Sequence, residues 1–218
     1  MSVRSARGEG IAGLLGRWLL LAGTPAALGA VLWAHPHGGA YETVATAADA
    51  WLAVHLLLLP LFALLGAVVY VLLAGFSGRT ATIGRFGVAV YVVFYTAFEA
   101  IAGIATGLVV RGTGSLSGTE QAGAVAAYDA IVTSPVVGVL ALLGVAGMLV
   151  AVAALALELR RAGAPILPVA SLAGVPIAIV GHGGTPIDAV GMGVFLIGVV
   201  WLEFGWRRRV DYREEVPA

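Results

Sequence analysis

Four histidines are the residues best suited to chemistry in this chain, and all fall toward one side of its organisation. His35 and His37 form a His-Pro-His triplet, which chelates if extended because residues two apart point the same way. His55 lies about one turn inside an apolar segment, on a face shared with Trp51, Leu59 and Phe62. Pro60 follows one turn below and frees the Leu56 carbonyl, so a kink there would open space beside the ring. His182 begins the run His182-Gly183-Gly184-Thr185-Pro186-Ile187-Asp188, in which glycines make a turn and Thr185-Pro186 starts the next helix. Imidazole suits zinc, copper, nickel and iron. His35, His37, His55 and His182 are therefore candidate metal ligands, with Asp129 and Asp188 as candidate acidic ligands or partners and Asp49 as a further partner. Asp129 and Asp188 stand where spans begin, and there a carboxylate also complements a helix dipole.

Glu99 is of a different kind. It falls near the middle of a long apolar segment, roughly 16 Å from the end at the rise of a helix. An ionised side chain is costly there, and intramembrane acids mark functional sites by default. Tyr91, Tyr95, Glu99, Ala102 and Thr106 form one helical stripe that should face the interior, with Tyr95 placed to hydrogen-bond the carboxyl. Glu99 is the candidate catalytic acid or base, or a proton carrier. An alternative use of the stripe is as a tether between helices.

The elements that position these residues follow from composition. Of 218 residues, 60% are hydrophobic and 11% charged, and the mean hydropathy is +1.00. Soluble domains carry about a quarter charged residues, so an ordinary soluble fold is excluded. Cysteine is absent, which removes disulfides, thiolate nucleophiles, iron–sulfur clusters and covalent haem attachment. The 12 basic and 12 acidic residues balance, which gives no general attraction for nucleic acid. The predicted partner is the lipid bilayer.

Hydropathy predicts an all-α polytopic bundle, a single transmembrane domain with six spans over roughly 13–34, 51–75, 84–110, 131–157, 165–181 and 187–206, joined in the middle by a 111–130 loop. Arginine, the only basic residue type present, sets the orientation. Arg4, Arg7, Arg17, Arg79, Arg85, Arg160, Arg161, Arg207, Arg208, Arg209 and Arg213 share one side of a six-span layout, and only Arg111 falls on the other. The positive-inside rule then predicts both termini in the cytoplasm of a bacterial-type cytoplasmic membrane and every histidine on the outer side. Trp33, Tyr41, Trp51 and Tyr128 mark the outer interface, and Trp18, Tyr70, Trp201 and Trp206 the inner one. The first span reads as an anchor rather than a cleaved signal, because Leu32-Trp33-Ala34 lacks the small residue a cleavage site needs. Span five is short and interrupted by Pro165, Pro168, Gly174 and Pro176, as in broken helices beside cavities. The pairs Gly103/Gly107 and Gly144/Gly147 allow close helix approach, within the bundle or in a homo-oligomer.

The segments Trp51-Leu52-Ala53-Val54-His55, Tyr95-Thr96-Ala97-Phe98-Glu99-Ala100 and Ile187-Asp188-Ala189-Val190-Gly191-Met192 resemble small uncharacterised six-span membrane proteins of GC-rich bacteria. That resemblance implies the fold and brings no activity or site residue. From the residues themselves, the leading expectation is an outward-opening pocket holding a metal such as zinc or copper, or haem b, with oxidoreductase or hydrolase chemistry. A small proton-coupled transporter using Glu99 and a membrane scaffold are the alternatives.

Overall fold

A computed structural model describes residues 11–183 and 185–207, and all regular structure among them is helical. Lipid offers no partner for backbone N–H and C=O groups, so apolar segments satisfy them within helices. Helix α1 is Ala12–Trp33, α2 is the short Tyr41–Thr46, α3 is Ala48–Ala74 and α4 is Arg79–Thr113. Helix α5 is Gly118–Val132, α6 is Pro135–Arg161, α7 is Ile166–Gly181 and α8 is Ile187–Arg207. Among the described residues, five helical stretches are long and apolar enough to cross a membrane: α1, α3, α4, α5 with α6, and α8. Helix α7 is shorter. Its about 16 residues give roughly 24 Å, less than a hydrocarbon core of about 30 Å. It is also broken, as its prolines and Gly174 anticipate, by a 3₁₀ turn at Ser171–Ala173.

The segment expected as a 111–130 loop is largely helix α5. Its polar and glycine content suggested a loop, but Ala124 and Tyr128 bury against Tyr41, Val44, Trp51 and Val110 in a small second core at one end of the bundle. Tertiary burial outweighs local composition here. The break between α5 and α6 falls at Thr133–Ser134, and Pro135 then opens α6 at a position where its missing N–H costs nothing. Asp129, expected at the start of a span, therefore lies near the end of α5.

The helices close into a ring. Helix α1 packs on α3, α3 on α4, α4 on α6, α6 on α7, α7 on α8, and α8 returns to α1. Glycine sets the closest approaches. A Cβ on Gly87 of α4 would lie 2.6 Å from the Gly147 carbonyl oxygen of α6, and one on Gly174 of α7 would lie 2.1 Å from the Gly191 carbonyl oxygen of α8. Gly144 meets Tyr95, Gly107 meets Trp51, and Gly103 meets His55. The glycines named above as candidates for a homo-oligomer interface are thus used between helices of one chain. Leu58, Phe62, Tyr91, Met148, Leu172 and Phe195 fill the middle of the ring.

The ends of the bundle differ. At one end, Arg17 and Arg207 pair with Glu203, Arg161 pairs with Glu158, and Arg85 donates to the Leu73 and Phe76 carbonyls. His35, His55 and His182 lie at the other end. Arg111 is there too, paired with exposed Asp49 at 3.0 Å. The expected terminal arginines Arg4, Arg7, Arg208, Arg209 and Arg213 lie outside the described residues.

Candidate metal centre

Four separate parts of the ring deliver side chains to one point. His35 follows the C-terminus of α1, His55 projects from the first turns of α3, Glu99 from the middle of α4, and His182 caps the end of α7. One ligand atom from each histidine lies within 4.8 Å of those of the other two.

Hydrogen bonds define which nitrogens face inward. His35 Nδ1 lies 2.7 Å from the Pro36 carbonyl oxygen, and His55 Nδ1 lies 2.8 Å from the Trp51 carbonyl oxygen. Carbonyls only accept, so each Nδ1 carries the proton and donates. Each neutral ring then presents a bare lone pair on Nε2. These two nitrogens face one another at 3.4 Å. His182 follows the same pattern. The Tyr95 hydroxyl donates its single proton to the Ile179 carbonyl at 2.9 Å, so its oxygen accepts from His182 Nδ1 at 3.3 Å. His182 Nε2 is left buried with no hydrogen-bond partner among the described residues.

Two acceptor nitrogens that face one another repel unless a cation lies between them. Two nitrogens each 2.0–2.1 Å from a tetrahedral ion are about 3.4 Å apart, which is the His35–His55 separation. The Nδ1–H···O=C bonds are also the usual way a ligating imidazole is fixed in tautomer and angle.

Packing holds the rings where they are. Trp51 stacks on His55 with centroids 4.4 Å apart, and its Nε1 donates to the Gly103 carbonyl at 2.9 Å. That carbonyl belongs to a π-helical stretch, Glu99–Ala105, inside α4. Such widened turns release backbone carbonyls and recur at functional sites. Gly103 lets the His55 ring lie directly on the helix backbone. Gly183 adopts φ +78°, a conformation that favours glycine, and turns the chain beside the His35 ring.

Glu99 begins the π-helical stretch and is fully buried. Its oxygens lie 3.9 Å from His55 Nε2 and 3.7 Å from His182 Nδ1, and neither has a hydrogen-bond partner among the described residues. The bond expected from Tyr95 is not made, because that hydroxyl reaches across to α7 instead. The stripe itself is internal: Tyr91, Tyr95, Glu99 and Thr106 are all buried.

The remaining candidates separate. Asp188 is buried beside the cluster and accepts from the Gly183 N–H at 3.0 Å and from the Thr185 hydroxyl at 3.5 Å, which fixes the turn carrying His182. His37 is exposed in the loop, because the chain after Pro36 turns its side chain away from His35. Asp129 is exposed on α5, and Asp49 is held by Arg111. None of these three joins the cluster. Trp51, Gly103 and Gly183 are parts of the site whose roles come from contacts across the ring. For Gly103 the signals in sequence are its place four residues after Glu99 and its pairing with Gly107.

A cavity of about 230 Å³ adjoins the cluster, bounded by His35, Trp51, His55, Glu99, Tyr128 and His182 among others. Tyr128 reaches over it to donate to the Gly39 carbonyl at 2.7 Å, which ties α5 to the loop that carries His35.

Outside the apolar spans, burial holds the His35 ring below its ordinary value near 6.5, and burial together with the neighbouring imidazoles holds His182 lower still. Both rings are thus neutral in the folded protein at pH 7, as ligands must be. The unfolded chain takes up protons near pH 6.5 while the folded chain does not. Stability therefore is complete above that pH and falls as the pH drops through it toward the lowered folded values. The expected result is a thermal midpoint that is flat from pH 8 to 7 and declines from pH 6.5 to 5. The decline should be shallower in a His35→Gln/His182→Gln double variant, which removes these two contributions.

Comparison with protein-family models, with curated proteins and with solved structures finds no match to this chain.

Proposed function

We propose that this chain is a metal-dependent integral membrane protein, with His35, His55 and His182 as the ligands of one transition-metal ion at the outer face of a six-crossing bundle. The observation that carries the reading is the pair of Nε2 lone pairs facing at 3.4 Å, with both Nδ1 protons committed to carbonyls. Three imidazoles with a position left open form the ligand set of catalytic zinc sites, and the same set accepts copper. Charge supports it as well. An ionised Glu99 beside a divalent ion would offset half of its charge, which lowers the cost of burying it.

The ring packing favours an ion over haem b. The His35 ring lies edge-on at 4.9 Å from His55 and 5.3 Å from His182, which leaves no flat slot between the imidazoles for a macrocycle. The orientation proposed is N-in and C-in in a bacterial cytoplasmic membrane. Helix α7 supplies the sixth crossing, since it joins the arginine end of α6 to the histidine end of α8. The arginine pairs at one end and the lone Asp49–Arg111 pair at the other support this orientation.

Elemental analysis of the protein purified without chelator tests the ion. One zinc or copper per chain, released by chelation and restored by back-titration, is the expected result. A chain with no stoichiometric metal that takes up none on titration would refute the assignment.

A further inference from the structure

We infer that the substrate is an amphiphile that enters sideways from the lipid, and that Glu99 is the base for hydrolysis of its acyl ester or amide bond. This rests on the metal assignment above and extends it.

Two cavities flank the cluster. The first is the cavity of about 230 Å³ beside the histidines. The second, of about 300 Å³, lies between α4, α6 and α7, with Ala141, Leu142, Val145 and Val180 on its walls. Phe98 and His182 border both. Leu142 and Val180 are 67% and 68% exposed on apolar helices, so the second cavity opens where the bilayer would contact the chain. Its polar members are His182 and the Tyr95 hydroxyl, which is already committed to Ile179. This wall suits a hydrocarbon chain and gives a soluble polar substrate nothing to bind. The first cavity supplies the opposite chemistry, with three imidazoles and a carboxylate. An amphiphile that passes the shared Phe98–His182 border would lay its chain in the groove and bring its carbonyl to the histidines.

Glu99 completes the arrangement. Its oxygens stand 3.7–3.9 Å from ring nitrogens of the cluster and are otherwise unpaired. An ion held by His55 Nε2 would lie beside the Glu99 carboxylate, which is 3.9 Å from that nitrogen, and would present its water to it. The water gives a proton to Glu99, and the resulting hydroxide forms a bond to the carbonyl carbon. The ion withdraws charge from the carbonyl oxygen. The acyl C–O or C–N bond then breaks, and the leaving atom takes the proton back from Glu99. Water is consumed, an acid and an alcohol or amine are released, and no electrons are exchanged.

The test uses zinc-loaded full-length protein in nanodiscs with p-nitrophenyl acetate and p-nitrophenyl dodecanoate. Wild type should prefer the dodecanoate in kcat/KM. Glu99→Gln should keep one metal per chain and lose about 10²–10⁴-fold in kcat, the range for general-base catalysis. Ala141→Trp, which fills the lateral groove, should lower the dodecanoate-to-acetate ratio of kcat/KM at least tenfold. A fully metallated wild type that cleaves neither ester, a Glu99→Gln variant with undiminished kcat, or an unchanged ratio in Ala141→Trp would each overturn the inference while leaving the metal site standing. A wild type without metal would overturn both.

Discussion

Replacing Gly103 by alanine is expected to strip the metal from the cluster although every ligand remains in the sequence. A Cβ at this position would lie 1.9 Å from His55 Cδ2 and 2.9 Å from its Nε2. The ring is confined, because Trp51 stacks on it and His55 Nδ1 is tied to the Trp51 carbonyl. Either α3 and α4 separate or the ring rotates out of the cluster. Overpacking of this kind costs about 1–3 kcal/mol, and rotation breaks the 3.4 Å approach to His35. Metal content should fall at least tenfold, accompanied by a lower thermal midpoint. Gly123→Ala is the matched control, since a Cβ there meets nothing within 4 Å. Full metal occupancy in Gly103→Ala at an unchanged thermal midpoint would overturn the tight packing of His55 on Gly103.

The second large effect separates the ligand set from residues that share its chemistry. His55→Ala, His35→Ala and His182→Ala should each weaken metal binding by about 100-fold or more, the upper range for loss of a mere supporting partner. His37→Ala and Asp129→Ala should bind as wild type does, because both side chains are exposed and outside the cluster. Competition titration with a chromophoric chelator measures all five. Equal losses at His37 and His35 would point to the His-Pro-His triplet as a loop chelator and overturn the three-helix site.

Much of this was legible in the sequence. The helical class follows from hydropathy alone, and the internal face of α4 follows from the spacing of Tyr91, Tyr95 and Glu99. The convergence of His35, His55 and His182 was less legible, since nothing in local periodicity says which helices are neighbours. It depends on the ring closing through α7 and α8, and that closure rests on pairs of glycines far apart in sequence, such as Gly174 and Gly191. The choice between His35 and His37 was open for a related reason. Both are two residues apart in one loop, and only the turn beyond Pro36 decides which ring enters. Helix α5 was hidden because its stability comes from Tyr41 and Trp51 on other elements, not from its own composition. Asp188 was read as a ligand or partner, and a carboxylate that fixes a turn through Gly183 is the same sequence signal as one that binds an ion.

Helix α7 has a consequence for the bilayer itself. The adjacent α6 has 27 residues, whereas α7 reaches only roughly 24 Å, about 6 Å short of a typical hydrocarbon core. As the proposed sixth crossing, α7 would make adjacent lipid thin or tilt to match it, at a fraction of a kcal/mol per ångström. Helix α7 walls the groove of Leu142 and Val180, so the thinned annulus would border that groove and bring lipid ester or amide linkages closer to the level of the histidines. Bilayer thickness therefore becomes a control variable. Activity should rise in thin-lipid nanodiscs and fall in thick ones, with the metal site unchanged.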